Sequence, residues 1–284
     1  MLIMKRILLP TDFSEISKNA IHYALQLFKD VPCKFFLLNV FRVPYVANEE
    51  FMENDLSQLA VLEGELYDAS IKGMKDLIKE MPKYKGHQFE TISDYNLFGN
   101  AIKTKIKENK IDLIIMGTKG ATGAKEVFMG SNTGDVILKT TCNVIAVPEN
   151  NRFKPPKEIV FPTDFRIDYD FVDLAPLISL AEKYDSVIRI LHLSDMQELD
   201  EEQNENKRTL ASFFINIKHS FHTLSNTDFE EALNCFTQSR GDIDMIAIIA
   251  RHYTFFQRLF FRPKVQELSF HTRIPLFVLH HLNE

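Results

Sequence analysis

The chain has 284 residues, 45% of them hydrophobic, with 33 basic residues against 39 acidic ones and a net charge of −6. That length accommodates two domains with cores of their own, and the acidic balance argues against general nucleic-acid binding, which needs a basic face. No apolar run reaches membrane-spanning length, and the three cysteines lack C-x-x-C spacing, which fits mostly buried thiols in a reduced, cytoplasmic protein.

In chain order, Met-Leu-Ile-Met-Lys leads straight into Ile7–Pro10, which reads as an apolar strand and not as a signal peptide. Ser14 suits the N-cap of a helix whose Ile16, Ala20, Tyr23, Ala24 and Leu27 share one face. Lys34–Phe41 reads as a second strand. From about Leu56 to Met81, Leu59, Leu62, Leu66, Ala69, Gly73 and Leu77 recur at helical spacing. Gln88–Ser93 is a third strand, Gly99 opens a helix to Asn109, and Ile111–Met116 is a fourth strand. Asn132–Lys139 is helical and Asn143–Val147 is a fifth strand. Strand and helix alternate throughout, which calls for a parallel sheet covered on both faces.

The pattern occurs twice. Lys5–Phe13 recurs as Lys157–Phe165, with Pro-Thr-Asp-Phe intact, and Phe35–Val40 matches Ile188–Leu193. Phe89–Ser93 matches Phe221–Ser225, and Asp112–Gly117 matches Met245–Ala250, after a shortening of the second crossover. The expected domains are therefore 1–149 and 157–284, joined by the polar, proline-containing run from Pro148 to Pro156. Within the shortened crossover, the six acids of Asp195–Glu205 read as a solvated loop.

One feature is not duplicated. Gly117-Thr-Lys-Gly120 follows the fourth strand, and nine residues later come Gly130 and Ser131. Glycines let backbone approach a ligand, and a helix N-terminus adds unpaired N–H donors, so the array has the makings of a phosphate cradle. In an open parallel sheet, ligands sit beyond the carboxyl ends of the strands. That edge would gather Asp12, Asn39 and Val40 with the glycine loop. A carboxylate suits a ribose, strand backbone suits a base edge, and N–H groups with the Ser131 hydroxyl suit phosphates.

These residues resemble the universal stress proteins, in the branch marked by G-x2-G-x9-G-[ST]. Gly117, Gly120, Gly130 and Ser131 fit that motif without a gap, Pro10-Thr11-Asp12 fits the first strand end, and Asn39-Val40 fits the second. The resemblance implies two α/β domains, each a doubly wound, five-stranded parallel sheet of order 3-2-1-4-5, and it implies ATP, with Mg²⁺, as ligand. It implies contacts from Pro10, Thr11, Asp12, Asn39, Val40, Met116, Gly117, Gly120, Gly130, Ser131, Asn132 and Thr133. It also implies domain pairing through the last strands, Asn143–Val147 against Pro275–Leu279, and a homodimer of two-domain chains. The second half departs from the motif, with Ala250, Tyr253, Pro263 and Lys264 aligned on the four motif positions.

Blander readings stand beside these. Asp12 can be a turn or cap residue, since its copy Asp164 survives where the motif is lost. His219 and His222, three apart on a strand, point to opposite faces and make a poor metal pair, while His280 and His281 read as solvated. Lys119 and Lys125 read equally as phosphate contacts or solvated lysines. The basic, aromatic Arg251–Arg262 segment reads as an interface or a filled pocket. There is no Walker A lysine motif and no G-x-G-x-x-G. The sequence thus describes an ATP-binding regulatory protein and not an efficient catalyst, because placed metal ligands and a cationic stabiliser are not evident. A slow ATP-hydrolysing or adenylating enzyme is one alternative, and a nucleotide-free scaffold for a protein partner is the other.

Overall fold

In a computed structural model of the chain, residues 4–42, 55–118, 130–194, 198–225, 229–250 and 273–281 are described. The first half comprises β1 (Lys5–Pro10), α1 (Glu15–Leu27), β2 (Cys33–Phe41), α2 (Asp55–Glu80), β3 (His87–Tyr95), α3 (Phe98–Asn109), β4 (Leu113–Gly117), α4 (Ser131–Lys139) and β5 (Asn143–Val147). The second comprises β6 (Glu158–Thr163), α5 (Phe171–Tyr184), β7 (Val187–Ser194), α6 (Glu201–Phe213), β8 (Lys218–Ser225), α7 (Phe229–Arg240), β9 (Met245–Ile249) and β10 (Leu276–Leu279).

All ten strands form one sheet, in the order β3-β2-β1-β4-β5-β10-β9-β6-β7-β8. Each half is parallel and has the expected order 3-2-1-4-5. The halves meet where β10 runs antiparallel to β5, with Phe277 opposite Ile145. Because β-strand side chains alternate, Ile7, Leu9, Phe35 and Ile115 join one buried cluster while Leu8, Phe36, Leu38 and Ile114 join the other. Both clusters draw residues from both halves, so the two cores are continuous across the seam. Burial on both faces explains why these strands read as unbroken apolar runs.

The helices reinforce the seam. The carbonyl of Leu27, at the end of α1, accepts from Lys183 Nζ at 2.7 Å and from Tyr184 Oη at 2.6 Å. An unpaired helix-end carbonyl is thereby satisfied by the other half, in the place where a helix dipole favours a cation. Asn19 Nδ2 donates to the carbonyls of Pro148 and Asn151, and the Phe153 ring lies between Tyr23 and Tyr184.

Several expectations change. The third and fourth repeat blocks shift in register: β1 pairs Ile7 with Leu113, whereas β6 pairs Ile159 with Met245. Ile249, not Ala250, therefore occupies the position of Gly117. Asp200–Glu205 is not loop, because Asp200 caps α6 through a reciprocal pair with Gln203, its carboxylate accepting the Gln203 N–H at 2.8 Å. His280 is buried, since β10 lies at the centre of the sheet and the first half covers its end; His280 Nε2 bonds the Ile137 carbonyl at 2.8 Å. His281 is half-buried and bonds the buried carboxylate of Asp173 at 2.9 Å. The thiols are mostly buried, as expected: Cys33 and Cys142 are buried and Cys235 is exposed on α7.

The apolar stripe of α2 is buried only in its second half. Met74 and Leu77 are in the core while Leu59 and Leu62 are exposed. A 26-residue helix is about 39 Å long, whereas the nine residues of β3 span roughly 30 Å, so the first turns of α2 outrun the sheet. His219 packs on Phe214 and Phe221, and His222 on Phe236 of α7, so the two imidazoles face opposite sides.

Candidate nucleotide site

The Pro-Thr-Asp-Phe turn is built the same way in both halves. Phe13 and Phe165 adopt positive φ, 65° and 57°. Each is held by the threonine two residues earlier: Thr11 Oγ1 accepts the Phe13 N–H at 3.1 Å and Thr163 Oγ1 the Phe165 N–H at 2.9 Å. Left-handed backbone costs a bulky residue about 1–3 kcal/mol and persists only where the surroundings over-determine it. Its presence in both halves ties that strain to the fold. Asp12 follows suit, its Oδ1 accepting the Ser14 N–H at 3.1 Å and the Ser14 hydroxyl at 2.6 Å; Asp164 Oδ1 accepts the Arg166 N–H.

At the carboxyl edge of the first half, the strand ends, α1, α3 and α4 enclose a cleft of about 160 Å³. It is lined by Pro10, Thr11 and Asp12 from the β1 end, Ser17 from α1, and Val40 from β2. Phe98 from α3, Met116 and Gly117 from β4, and Asn132 and Thr133 from α4 complete it. Eight of the twelve expected site residues thus come together.

The other four divide. Asn39 is buried behind the cleft, where its Nδ2 donates to the Thr11 carbonyl at 2.7 Å. His192 repeats that bond to the Thr163 carbonyl in the second half, which marks a structural tie. Gly130 is the N-cap of α4 and Ser131 its first residue, beside the lining residues but not among them. Gly120 lies outside the described residues, as do Lys119, Lys125 and Arg251–Arg262.

Local geometry gives each wall a character. The Gly130 N–H donates to the Thr118 carbonyl at 2.6 Å, and Thr133 Oγ1 donates to the Gly117 carbonyl at 2.9 Å, so α4 is tied to the end of β4. The first intrahelical bond of α4 is Gly134 N–H to Gly130 C=O, which leaves the N–H groups of Ser131, Asn132 and Thr133 without helical partners. Gly117 has a second reason to be glycine, because a Cβ there would lie 2.5 Å from Ile16 Cγ2. At the other end of the cleft, β2 outruns β1. The β1 register stops at Pro10 with Leu38, whereas pairing with β3 continues to Phe41 with Tyr95. Val40 and Phe98 make that end apolar, and both pack on the core cluster of the α3/α4 face. The cleft is therefore polarised, with helix donors at one end and an apolar slot at the other.

Sequence reasoning missed Ser17 and Phe98. Ser17 Oγ sits 3.0 Å from Thr11 Oγ1 and donates to the Ser14 carbonyl, a position implied by its place one turn after the N-cap Ser14. Phe98 immediately precedes Gly99, and β3 ends at the same sheet edge as β1 and β4; that adjacency was the available signal.

The profile of the universal stress protein family matches residues 4–148, just over half of the chain. The chain belongs to the universal stress protein family. It is 30% identical over 156 residues to the Methanocaldococcus jannaschii universal stress protein MJ0531, covering 54% of this chain and 85% of that one. It is 28% identical over 144 residues to the Bacillus subtilis universal stress protein YxiE, covering 50% of this chain and 97% of that one. The crystal structure of a universal stress protein from Archaeoglobus fulgidus superposes with a TM-score of 0.61 at 16% identity, covering 97% of this chain and 96% of that one. Its fold therefore matches this universal stress protein over both halves. Among the described residues, no helix is long and apolar enough to cross a membrane.

Proposed function

We propose that this universal stress protein binds an adenine nucleotide, ATP, in its first domain, and that occupancy changes how that domain presents itself to the second domain or to a protein partner. The observation that carries the reading is the polarised cleft. The first N–H groups of α4, which have no helical partners, suit phosphate oxygens, Asp12 suits ribose hydroxyls, and the Val40–Phe98 end suits a base. The edge of β2 at Val40, beyond its last pair with β1, offers backbone groups to the rim of that base. Mg²⁺ would enter with the nucleotide and offset phosphate charge, since no cluster of three His, Cys, Asp or Glu among the described residues would hold it. The domains are 1–149, which binds, and 157–284, a degenerate copy whose role is structural or interaction-bearing.

At the corresponding strand ends, the second domain carries bulkier or already bonded groups. Ile249 occupies the position of Gly117, and Gln203 Nε2 donates to the Asp164 carbonyl at 2.8 Å. Thr163 and the buried Tyr169 share a hydroxyl–hydroxyl bond. We assign the chain to the cytoplasm and to a homodimer of two-domain molecules.

The test is thermal unfolding of nucleotide-stripped protein with Mg²⁺ and ATP, ADP, AMP or GTP, beside Asn132→Asp. An acid in the first turn of α4 favours the helix dipole, so this variant keeps its fold while repelling phosphate. ATP at 100 times its dissociation constant stabilises the native state by about 2.7 kcal/mol. A midpoint rise with ATP that Asn132→Asp abolishes supports the site. No shift with any nucleotide rejects it and moves the search to the nucleotide-free scaffold.

A further inference from the structure

We propose that Phe98 grips the base through its ring face and makes the cleft prefer purine to pyrimidine nucleotides; this rests on the nucleotide reading above. Phe98 is the only aromatic side chain among the described lining residues. It opens α3 and is half-buried, packed with Val40 and Ile92 on the core cluster of the α3/α4 face, so its ring is held by the fold. Pro10, Val40 and Met116 are the other apolar lining residues, and none of the three carries a side-chain donor or acceptor. Of the polar lining side chains, Asn132 belongs to the first turn of α4 with the helix donors, and the other four have bonds of their own. Thr11 and Ser17 hold each other, Thr133 holds the Gly117 carbonyl, and Asp12 holds Ser14.

Asn39, the side chain nearest in sequence to the base end, is committed to the Thr11 carbonyl. Side-chain hydrogen bonding to a base edge is thus left to none of these groups. A ring face binds any base but favours the larger π surface, because stacking strength grows with overlap. Selection among purines then falls to the β2 backbone, and selection of purine over pyrimidine falls to Phe98.

The experiment is calorimetric titration of nucleotide-stripped protein with ATP, CTP and inorganic tripolyphosphate, for wild type and Phe98→Ala, Phe98→Leu and Phe98→Tyr. Leucine keeps the packing on the core cluster and removes the π face; tyrosine keeps both. Loss of one base–aromatic stack weakens ATP binding about 10-fold in the alanine and leucine variants. CTP loses less, so the preference for ATP over CTP shrinks, tripolyphosphate is unchanged and tyrosine restores ATP. The inference is overturned if Phe98→Leu binds ATP within about two-fold of wild type. It is also overturned if ATP and tripolyphosphate weaken in parallel, which marks a structural role. Wild type that binds tripolyphosphate and gains nothing from a base overturns this inference alone, whereas wild type that binds none of the three overturns the nucleotide reading with it.

Discussion

Gly117→Ala is the sharpest probe of how the first half is assembled. The added Cβ would lie 2.5 Å from Ile16 Cγ2, with the Ile16 carbonyl oxygen and carbon next at 3.3 and 3.4 Å. Carbon atoms pack at about 3.5–4.0 Å, so relief needs a shift of roughly 1 Å. Ile16 cannot supply it by rotation, because a β-branched residue in a helix has one strongly favoured χ1 rotamer. The backbone atoms behind it mean that α1 itself must move. Overpacking of this kind costs about 1–3 kcal/mol, a fall of roughly 3–10 °C in melting temperature for a chain of this size. The assay is thermal and urea unfolding of Gly117→Ala in wild-type and Ile16→Ala backgrounds. Without Cγ2 the worst contact disappears, so the cost in the Ile16→Ala background falls to less than half. Equal losses in the two backgrounds, or a Gly117→Ala protein that melts with wild type, would refute the reasoning.

Two further predictions concern titration and thiol chemistry. Burial pushes His280, His192 and His222 below the ordinary imidazole value of 6.5. Below that value the unfolded chain binds protons that the folded chain does not, so stability falls as pH drops from 7.5 to 5.5. For His280, protonation would also place a charged N–H at Nδ1, which has no partner among the described residues. His280→Gln, which keeps a donor toward the Ile137 carbonyl, should flatten the dependence of melting temperature on pH; an unchanged slope rules His280 out as a contributor. Burial pushes the Cys33 and Cys142 thiols up to about 12, whereas Cys235 is exposed. Native protein at pH 8 should therefore label quickly at one thiol, at none in Cys235→Ser, and at three once unfolded. Two fast native equivalents would contradict the burial of the others.

The parallel sheet and the duplication were legible because each rests on many residues, whereas the strand order came with the resemblance to the universal stress proteins. Apolar runs buried on both faces announce parallel strands, and Pro-Thr-Asp-Phe recurs letter for letter. What depends on one residue's surroundings was less legible. His280 and His281 look solvated as a polar pair near the chain end; their burial follows from the partner of β10, which no local pattern encodes. Glu201 and Glu202 look like loop until Gln203 completes the Asp200 cap. The Ala250 alignment failed by a single residue because Ile-Ala-Ile-Ile supports either register. At the site, Asn39 and Asp12 were read by residue type, but the structure adds what each already holds. Phe98 was overlooked because it belongs to no stripe and no motif, and its place in the cleft comes from where α3 begins.

The antiparallel seam between β5 and β10 bears on how the second domain could diverge. Two domains joined by the short run from Pro148 to Pro156 face each other at an effective concentration of order millimolar, however dilute the protein. Their association does not fail on dilution, as it would between separate chains. The second domain supplies the first with a strand edge and with partners for a helix end, through β10, Lys183 and Tyr184. Those contacts do not depend on what its own strand ends hold, so Ile249 and the Thr163–Tyr169 bond stand there without disturbing the seam.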